Sequence, residues 1–269
     1  MKYYELRGKL ARIRDDFDGK LIVVGDLHGD LESFERVRDI FLQIPDSILI
    51  FLGDYADRGS FGIEVIEGVK GLLIDFPDRT IALKGNHEDY KMGMPNFAPC
   101  DLPREVEIKR GISWRDFFPR FEREFLSRLQ LAVWVPSYAL LVHGGISSKI
   151  RDLSDLESPS EGVEEDVLWS DPYEGTGEHP NPRGAGILFG PDVTKSVAGR
   201  VKVKYILRSH EPRKALTGPF AEHGGMVITL SSTRIYGGVP FVLSFDVGAQ
   251  LSGENLRLMT RYLTDAGDL

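Results

Sequence analysis

A chain of 269 residues, 42% of them hydrophobic, can bury roughly three-quarters of its unfolded surface around one core. With no Ser/Gly spacer, low-complexity run or internal repeat, residues 1–269 read as one domain. A net charge of −8 excludes a general nucleic-acid binder, which needs a basic face, and leaves small molecules and proteins as substrates.

The opening segment lacks the apolar core of a signal peptide, and no apolar run approaches the ~20 residues that span a bilayer. Cys100 is the only cysteine, so no intramolecular disulfide forms. The expectation is a cytoplasmic protein bound to neither membrane nor nucleic acid.

In chain order, KLIVVGD (20–26) reads as a buried strand. LESFERVRDIFLQI (31–44) then places Leu31, Phe34, Val37, Ile40, Phe41 and Ile44 at helical spacing. SILIFLGD (47–54) is a second strand, GIEVIEGVKGLLIDF (62–76) a second helix and RTIALKGN (79–86) a third strand. This βαβαβ run with continuously apolar strands predicts a parallel sheet covered on both faces. YALLVHGG (138–145) and VKYILRSHEP (203–212) are further strands, each ending in a histidine. MVITLSS, PFVLSFDV and ENLRLMTRYL read as strands of a second sheet packed on the first.

GDLHGD (25–30), GDYADRG (53–59) and GNHED (85–89) each follow the carboxyl end of a strand, about one βαβ unit apart. In open α/β sheets that edge is where ligands bind. One Gly-Asp pair after a strand is an ordinary turn, its carboxylate accepting backbone N–H groups. Three side by side bring carboxylates together that repel unless a cation or a hydrogen-bond network lies among them. Asp, His and Asn without cysteine suit hard or borderline divalent metals such as Mn, Fe or Zn. Asp54, on the middle strand, is placed to bridge two ions. Of the six histidines, His28, His87, His143 and His210 fall at strand ends, which extends the donor set.

GDxHG, GDxxDRG, GNHE and HGG, in this order, resemble the PPP family of metal-dependent serine/threonine protein phosphatases within the calcineurin-like metallophosphoesterases, in a compact prokaryotic-type form. LWSDP (168–172), RGAGILFG (183–190), RSHE (208–211) and SSTRIYGG (231–238) extend the match over roughly residues 20–250. The resemblance implies an α/β fold, a four-layer αββα sandwich of two mixed β-sheets flanked by helices. It implies two divalent ions, Mn2+ before Fe or Zn. Asp26 and His28 would hold the first, Asp54 would bridge, and Asn86, His143 and His210 would hold the second. Arg58 and Arg183, helped by Asn86, would bind the phosphoryl oxygens. His87, oriented by Asp57, would protonate the leaving alkoxide, and Tyr236 would border the site. The implied substrate is a phosphoprotein, and no regulatory subunit is legible.

The chemistry agrees with these roles. Phosphate monoesters hydrolyse extremely slowly, so a catalyst must supply a nucleophile and neutralise charge. Two ions about 3.5–4 Å apart activate a bridging water for direct attack. Guanidinium forks engage equatorial phosphoryl oxygens bidentately. Arg183 is the only arginine or lysine between Asp152 and Gly186, beside Gly184 and Gly186, which permit close approach. Asp171 reads as a support for the site.

Two departures from the family stand out. RSHE replaces Arg-Gly-His-Glu, putting a Cβ at Ser209 beside His210, and Ser232–Tyr236 keeps only the serine and tyrosine of Ser-Ala-Pro-Asn-Tyr. MGMPNFAPCDLP (92–103) is unmatched and is placed to shape the substrate entrance. Among rivals, a cysteine phosphatase needs Cys-x5-Arg, but Val106 stands where the arginine would be. GAGILFG has Phe189 at the third glycine of a dinucleotide fingerprint. A dinucleoside-tetraphosphate hydrolase of the same superfamily and a phosphoprotein-binding pseudophosphatase remain as alternatives.

Overall fold

A computed structural model describes residues 3–264. Five strands form one sheet in the order Thr260–Tyr262, Phe241–Asp246, Lys20–Val24, Ser47–Phe51, Thr80–Ala82. Seven form a second, in the order Tyr4–Arg7, Leu10–Ile13, Ala132–Val135, Ala139–Val142, Tyr205–Arg208, Val227–Thr229, Phe220–Glu222. Lys20–Val24, Ser47–Phe51 and Thr80–Ala82 pair in parallel, as read from the sequence, because helices Leu31–Leu42 and Gly62–Asp75 return the chain between them.

Strand alternation sorts the apolar residues into layers. Leu21, Val23, Ile48, Ile50 and Ile81 face Val133, Leu141, Leu207 and Ile228 between the sheets. Ile22, Val24, Leu49 and Phe51 instead meet Phe34, Val37, Val65 and Val69 of the helices on one outer face. On the other face Leu140, Val142 and Ile206 meet Val163 and Val167 of helix Glu161–Trp169 and Val197 of helix Pro191–Val201. The result is the expected αββα sandwich of two mixed sheets. Among the described residues no helix is long and apolar enough to cross a membrane.

Two expectations are corrected. Phe241–Asp246 belongs to the first sheet, antiparallel to Lys20–Val24. Its residues are buried on both faces, with Val242 toward the helices and Leu243 between the sheets, and Lys20 pairs with Asp246 at 2.8 Å at the end of that ladder. ENLRLMTRYL is not one strand: Gly253–Leu258 is a short helix, and only Thr260–Tyr262 joins the sheet. Leu256 and Leu258 stand two apart, the spacing of one strand face, yet Leu256 is buried and Leu258 exposed, as a helix places them.

Candidate metal centre

The loops after Val24, Phe51 and Ala82 are tied together by backbone bonds before any side chain acts. Leu27 and His28 donate their N–H groups to Asp54 O at 3.0 and 2.9 Å, and Gly59 N donates to His28 O at 3.0 Å. Glu88 stitches the second loop to the third, accepting from Asp54 N at 2.9 Å, Tyr55 N at 3.1 Å and Gly85 N at 3.0 Å. Burial raises the Glu88 carboxyl to about 7 despite these three donors. Gly53 explains the glycine before the aspartate. At φ +111° it lies so close to the third loop that a Cβ would stand 2.5 Å from Gly85 N and 2.9 Å from His143 Nδ1.

His28, Asp54, Asp57, Arg58 and His210 all have φ between 47° and 71°, the left-handed region that costs non-glycine residues on the order of 1–3 kcal/mol each. The conformation is held by bonds to the N–H groups: Arg58 N donates to Asp101 Oδ2 at 3.1 Å and His210 N to Asp26 Oδ1 at 3.1 Å. Strain concentrated on the residues singled out from sequence marks a built site.

The side chains converge with their lone pairs facing one another. His143 Nδ1 lies 2.9 Å from Leu52 O, and His28 Nδ1 lies 3.1 Å from Ala56 O. A carbonyl cannot donate, so each Nδ1 carries the proton and each Nε2 of the neutral ring is a bare acceptor. His143 Nε2 nevertheless sits 3.0 Å from Asn86 Oδ1 and 3.4 Å from Asp54 Oδ1. His28 Nε2 sits 3.5 Å from Asp54 Oδ2 and 3.9 Å from Asp26 Oδ2. Burial lowers both imidazoles to about 4, so they are not cations that would attract those oxygens.

His210 Nδ1 approaches the same Asn86 oxygen at 3.0 Å. Asp26 Oδ2 and His210 Nε2, both buried, have no hydrogen-bond partner. Burial, with Asp26 and Glu88 nearby, pushes the Asp54 carboxyl well above the usual carboxylate range. Ligand-type atoms of Asp54, His143 and His210 lie within 4.8 Å of one another, and so do those of His28, Asp54 and His87. The donor set therefore fits divalent metal, with Asp54 common to both groups. His87 stands in the second group where the sequence reading places Asp26, but its Nδ1 is engaged by Asp57.

A cavity of about 450 Å³ opens over this cluster, lined by His28, Asp54, Asn86, His87, Arg58, Arg183, Tyr236 and Phe97 among others. All eleven residues singled out from sequence come together here or directly beneath. Arg183 Nε pairs with Asp171 Oδ2 at 2.7 Å, and the buried Arg208 pairs with Asp171 Oδ1 at 2.8 Å. Burial opposes a charged Asp171, yet Arg208, His210 and Arg183 together hold it well below the usual range. The Tyr236 hydroxyl is 3.4 Å from His28 Nε2.

The unmatched segment 92–103 does shape the entrance. Phe97 packs against the His87 ring at 4.6 Å, and Pro99 O accepts from Arg58 Nη1 at 2.8 Å. Glu88, Pro99 and Asp101 are the supports that sequence reasoning missed. Glu88 left a signal as a charge in the third cluster, and Pro99 and Asp101 only as members of segment 92–103.

The profile of the calcineurin-like phosphoesterase family matches residues 19–214, and the chain belongs to that family, in its PPP phosphatase branch. It is 34% identical over 210 residues to Serine/threonine-protein phosphatase C23G10.1 of Caenorhabditis elegans, covering 73% of this chain and 44% of that protein. The fold is similar to that of a Saccharomyces cerevisiae protein serine/threonine phosphatase with similarity to human phosphatase PP5, with a TM-score of 0.72 and 30% identity over 88% of this chain and 75% of the other. A protein proposed to be a diadenosine tetraphosphatase superposes with a TM-score of 0.54 at 16% identity, over 88% and 94% of the two chains, which shows the fold alone. The chain spans less than half the length of the curated relatives it matches.

Proposed function

We propose that this chain hydrolyses phosphate monoesters on phosphoserine and phosphothreonine residues of proteins. The observation that carries the reading is the set of neutral imidazole nitrogens and carboxyl or amide oxygens facing each other at 3.0–3.5 Å. Asp26 and His28 hold one divalent cation, Asn86, His143 and His210 the other, and Asp54 serves both. When bound, two Mn2+ ions, or Fe or Zn in their place, supply an activated water for direct attack and neutralise phosphoryl charge.

The remaining steps belong to the protein. Asp171 takes the Nε of Arg183, leaving that arginine's two terminal nitrogens for phosphoryl oxygens. Arg58 spends Nη1 on Pro99 O and lines the same cavity. Asn86 and Tyr236 line the same space. Burial works to raise Asp57, but its hydrogen bond to His87 and the N–H groups of Leu102 and Asp101 hold it below its usual range. An ionised Asp57 fixes His87 Nδ1–H, so that Nε2–H donates the proton to the departing alkoxide. We place the protein in the cytoplasm on its single cysteine.

The diadenosine-tetraphosphate alternative rests on a fold match at 16% identity, whereas the 30% identical structure is a serine/threonine phosphatase. Metal-dependent turnover of phosphoserine, phosphothreonine and phosphotyrosine peptides, run beside diadenosine tetraphosphate, tests the reading. The first two peptides are expected to be the faster substrates. Much faster cleavage of the dinucleotide would overturn it.

A further inference from the structure

Ser209 stands immediately before His210, and it is fully buried. Its hydroxyl meets Asp26 at both ends. Ser209 Oγ accepts from Asp26 N at 2.7 Å and donates to Asp26 Oδ1, with Leu230 O at 3.1 Å as a second acceptor for the same proton. Asp26 Oδ1 also accepts from His210 N at 3.1 Å. One oxygen of this carboxylate is thus engaged by two donors from the loop after Tyr205–Arg208, in the other sheet. The second oxygen, Oδ2, is buried and free of any hydrogen bond.

A carboxylate can turn about its bond to Cβ and present either oxygen. Two donors on Oδ1 remove that freedom, and the bond to the backbone N–H fixes the distance between the two strand ends. We propose that Ser209 is a positioning residue for Asp26, locking its carboxylate so that Oδ2 alone is presented to a divalent cation. This rests on the metal-centre reading above. The Ser209 hydroxyl therefore couples the two halves of the site, since Ser209 precedes His210 and grips Asp26.

A neighbouring serine provides the control. Ser232 Oγ accepts from Gly25 N at 2.9 Å and donates to Phe241 O at 2.6 Å. It latches the same strand end one residue earlier and touches no carboxylate. The test is Mn2+ binding to metal-stripped protein, followed by competition with a fluorescent chelator, with urea unfolding of the metal-free forms alongside. Outer partners of metal ligands are typically worth 10–100-fold in affinity. Ser209→Ala is expected to weaken one of two Mn2+ sites by about that factor, and Ser232→Ala to change affinity by less than about threefold at a comparable loss of stability. Ser209→Thr, which keeps the hydroxyl, is expected to restore affinity even where overpacking lowers the urea midpoint.

Unchanged Mn2+ affinity in Ser209→Ala, or an equal loss in Ser232→Ala, overturns the proposal. Should wild-type protein bind no Mn2+, Fe2+ or Zn2+, the metal-centre reading fails and takes the proposal with it, an outcome distinct from the first two.

Discussion

His87 Nδ1 lies 2.7 Å from Asp57 Oδ2, and Asp57 uses its other oxygen on the N–H groups of Asp101 at 2.5 Å and Leu102 at 2.8 Å. The imidazole is thereby fixed through a buried carboxylate whose own position is set by the segment after the third motif. Only the far nitrogen of His87 remains for chemistry in the cavity.

The first prediction follows from that geometry. His87→Asn is expected to lower kcat by about 10²–10⁴ for alkyl phosphates and much less for aryl phosphates, whose leaving groups need no protonation. Steady-state kinetics on a phosphoserine peptide and p-nitrophenyl phosphate measure it. Equal losses on both substrates contradict the proton-donor role.

Arg183 is held through Nε by Asp171, a geometry that lysine cannot copy. Arg183→Lys is expected to reduce kcat/KM by about 10–100-fold, the size of one or two charge-assisted hydrogen bonds. It should weaken competitive inhibition by inorganic phosphate in parallel. Full activity in the lysine variant would show that the fork is not used.

Glu88 gives a pH signature. Its carboxyl, raised to about 7 by burial, holds its proton in the folded state where the unfolded chain has already released it. Its contribution to stability is therefore complete below about pH 4.5 and is lost as pH rises through about 7. Glu88→Gln gives up one acceptor oxygen at every pH and, having no ionisable group, lacks this dependence on pH. The stability gap to wild type, from urea unfolding of metal-free protein, should narrow between pH 4.5 and 7, by up to about 3 kcal/mol. A gap that widens over that interval contradicts the account.

Gly53→Ala adds a Cβ 2.5 Å from Gly85 N, on a residue at φ +111°. Neither neighbour is a flexible side chain, so the second and third loops must separate. A loss of more than about 2 kcal/mol in unfolding free energy is expected, together with loss of bound metal. A variant as stable as wild type refutes the close packing of these loops.

Much of the site was legible because its chemistry sits at strand ends. Gly-Asp or Gly-Asn after an apolar run fixed Asp26, Asp54 and Asn86, and strand-terminal histidines added His143 and His210. Glu88, Asp101 and Pro99 were not, because they act through backbone N–H and C=O groups, whose partners leave no pattern in composition or period. Phe241–Asp246 was assigned to the wrong sheet because a strand buried on both faces carries no alternation to say which layer it joins. Gly253–Leu258 was missed because six residues are too few to separate a helical period from a strand's.

Asp54 tests the account most directly, since its two oxygens approach His28 Nε2 at 3.5 Å and His143 Nε2 at 3.4 Å. The measurement is metal content per chain of wild type and Asp54→Asn after equilibration with Mn2+, with phosphopeptide turnover on the same samples. Two ions in wild type, and one or none in the variant with activity abolished, is the predicted result. An Asp54→Asn protein that keeps two ions and full turnover would contradict it.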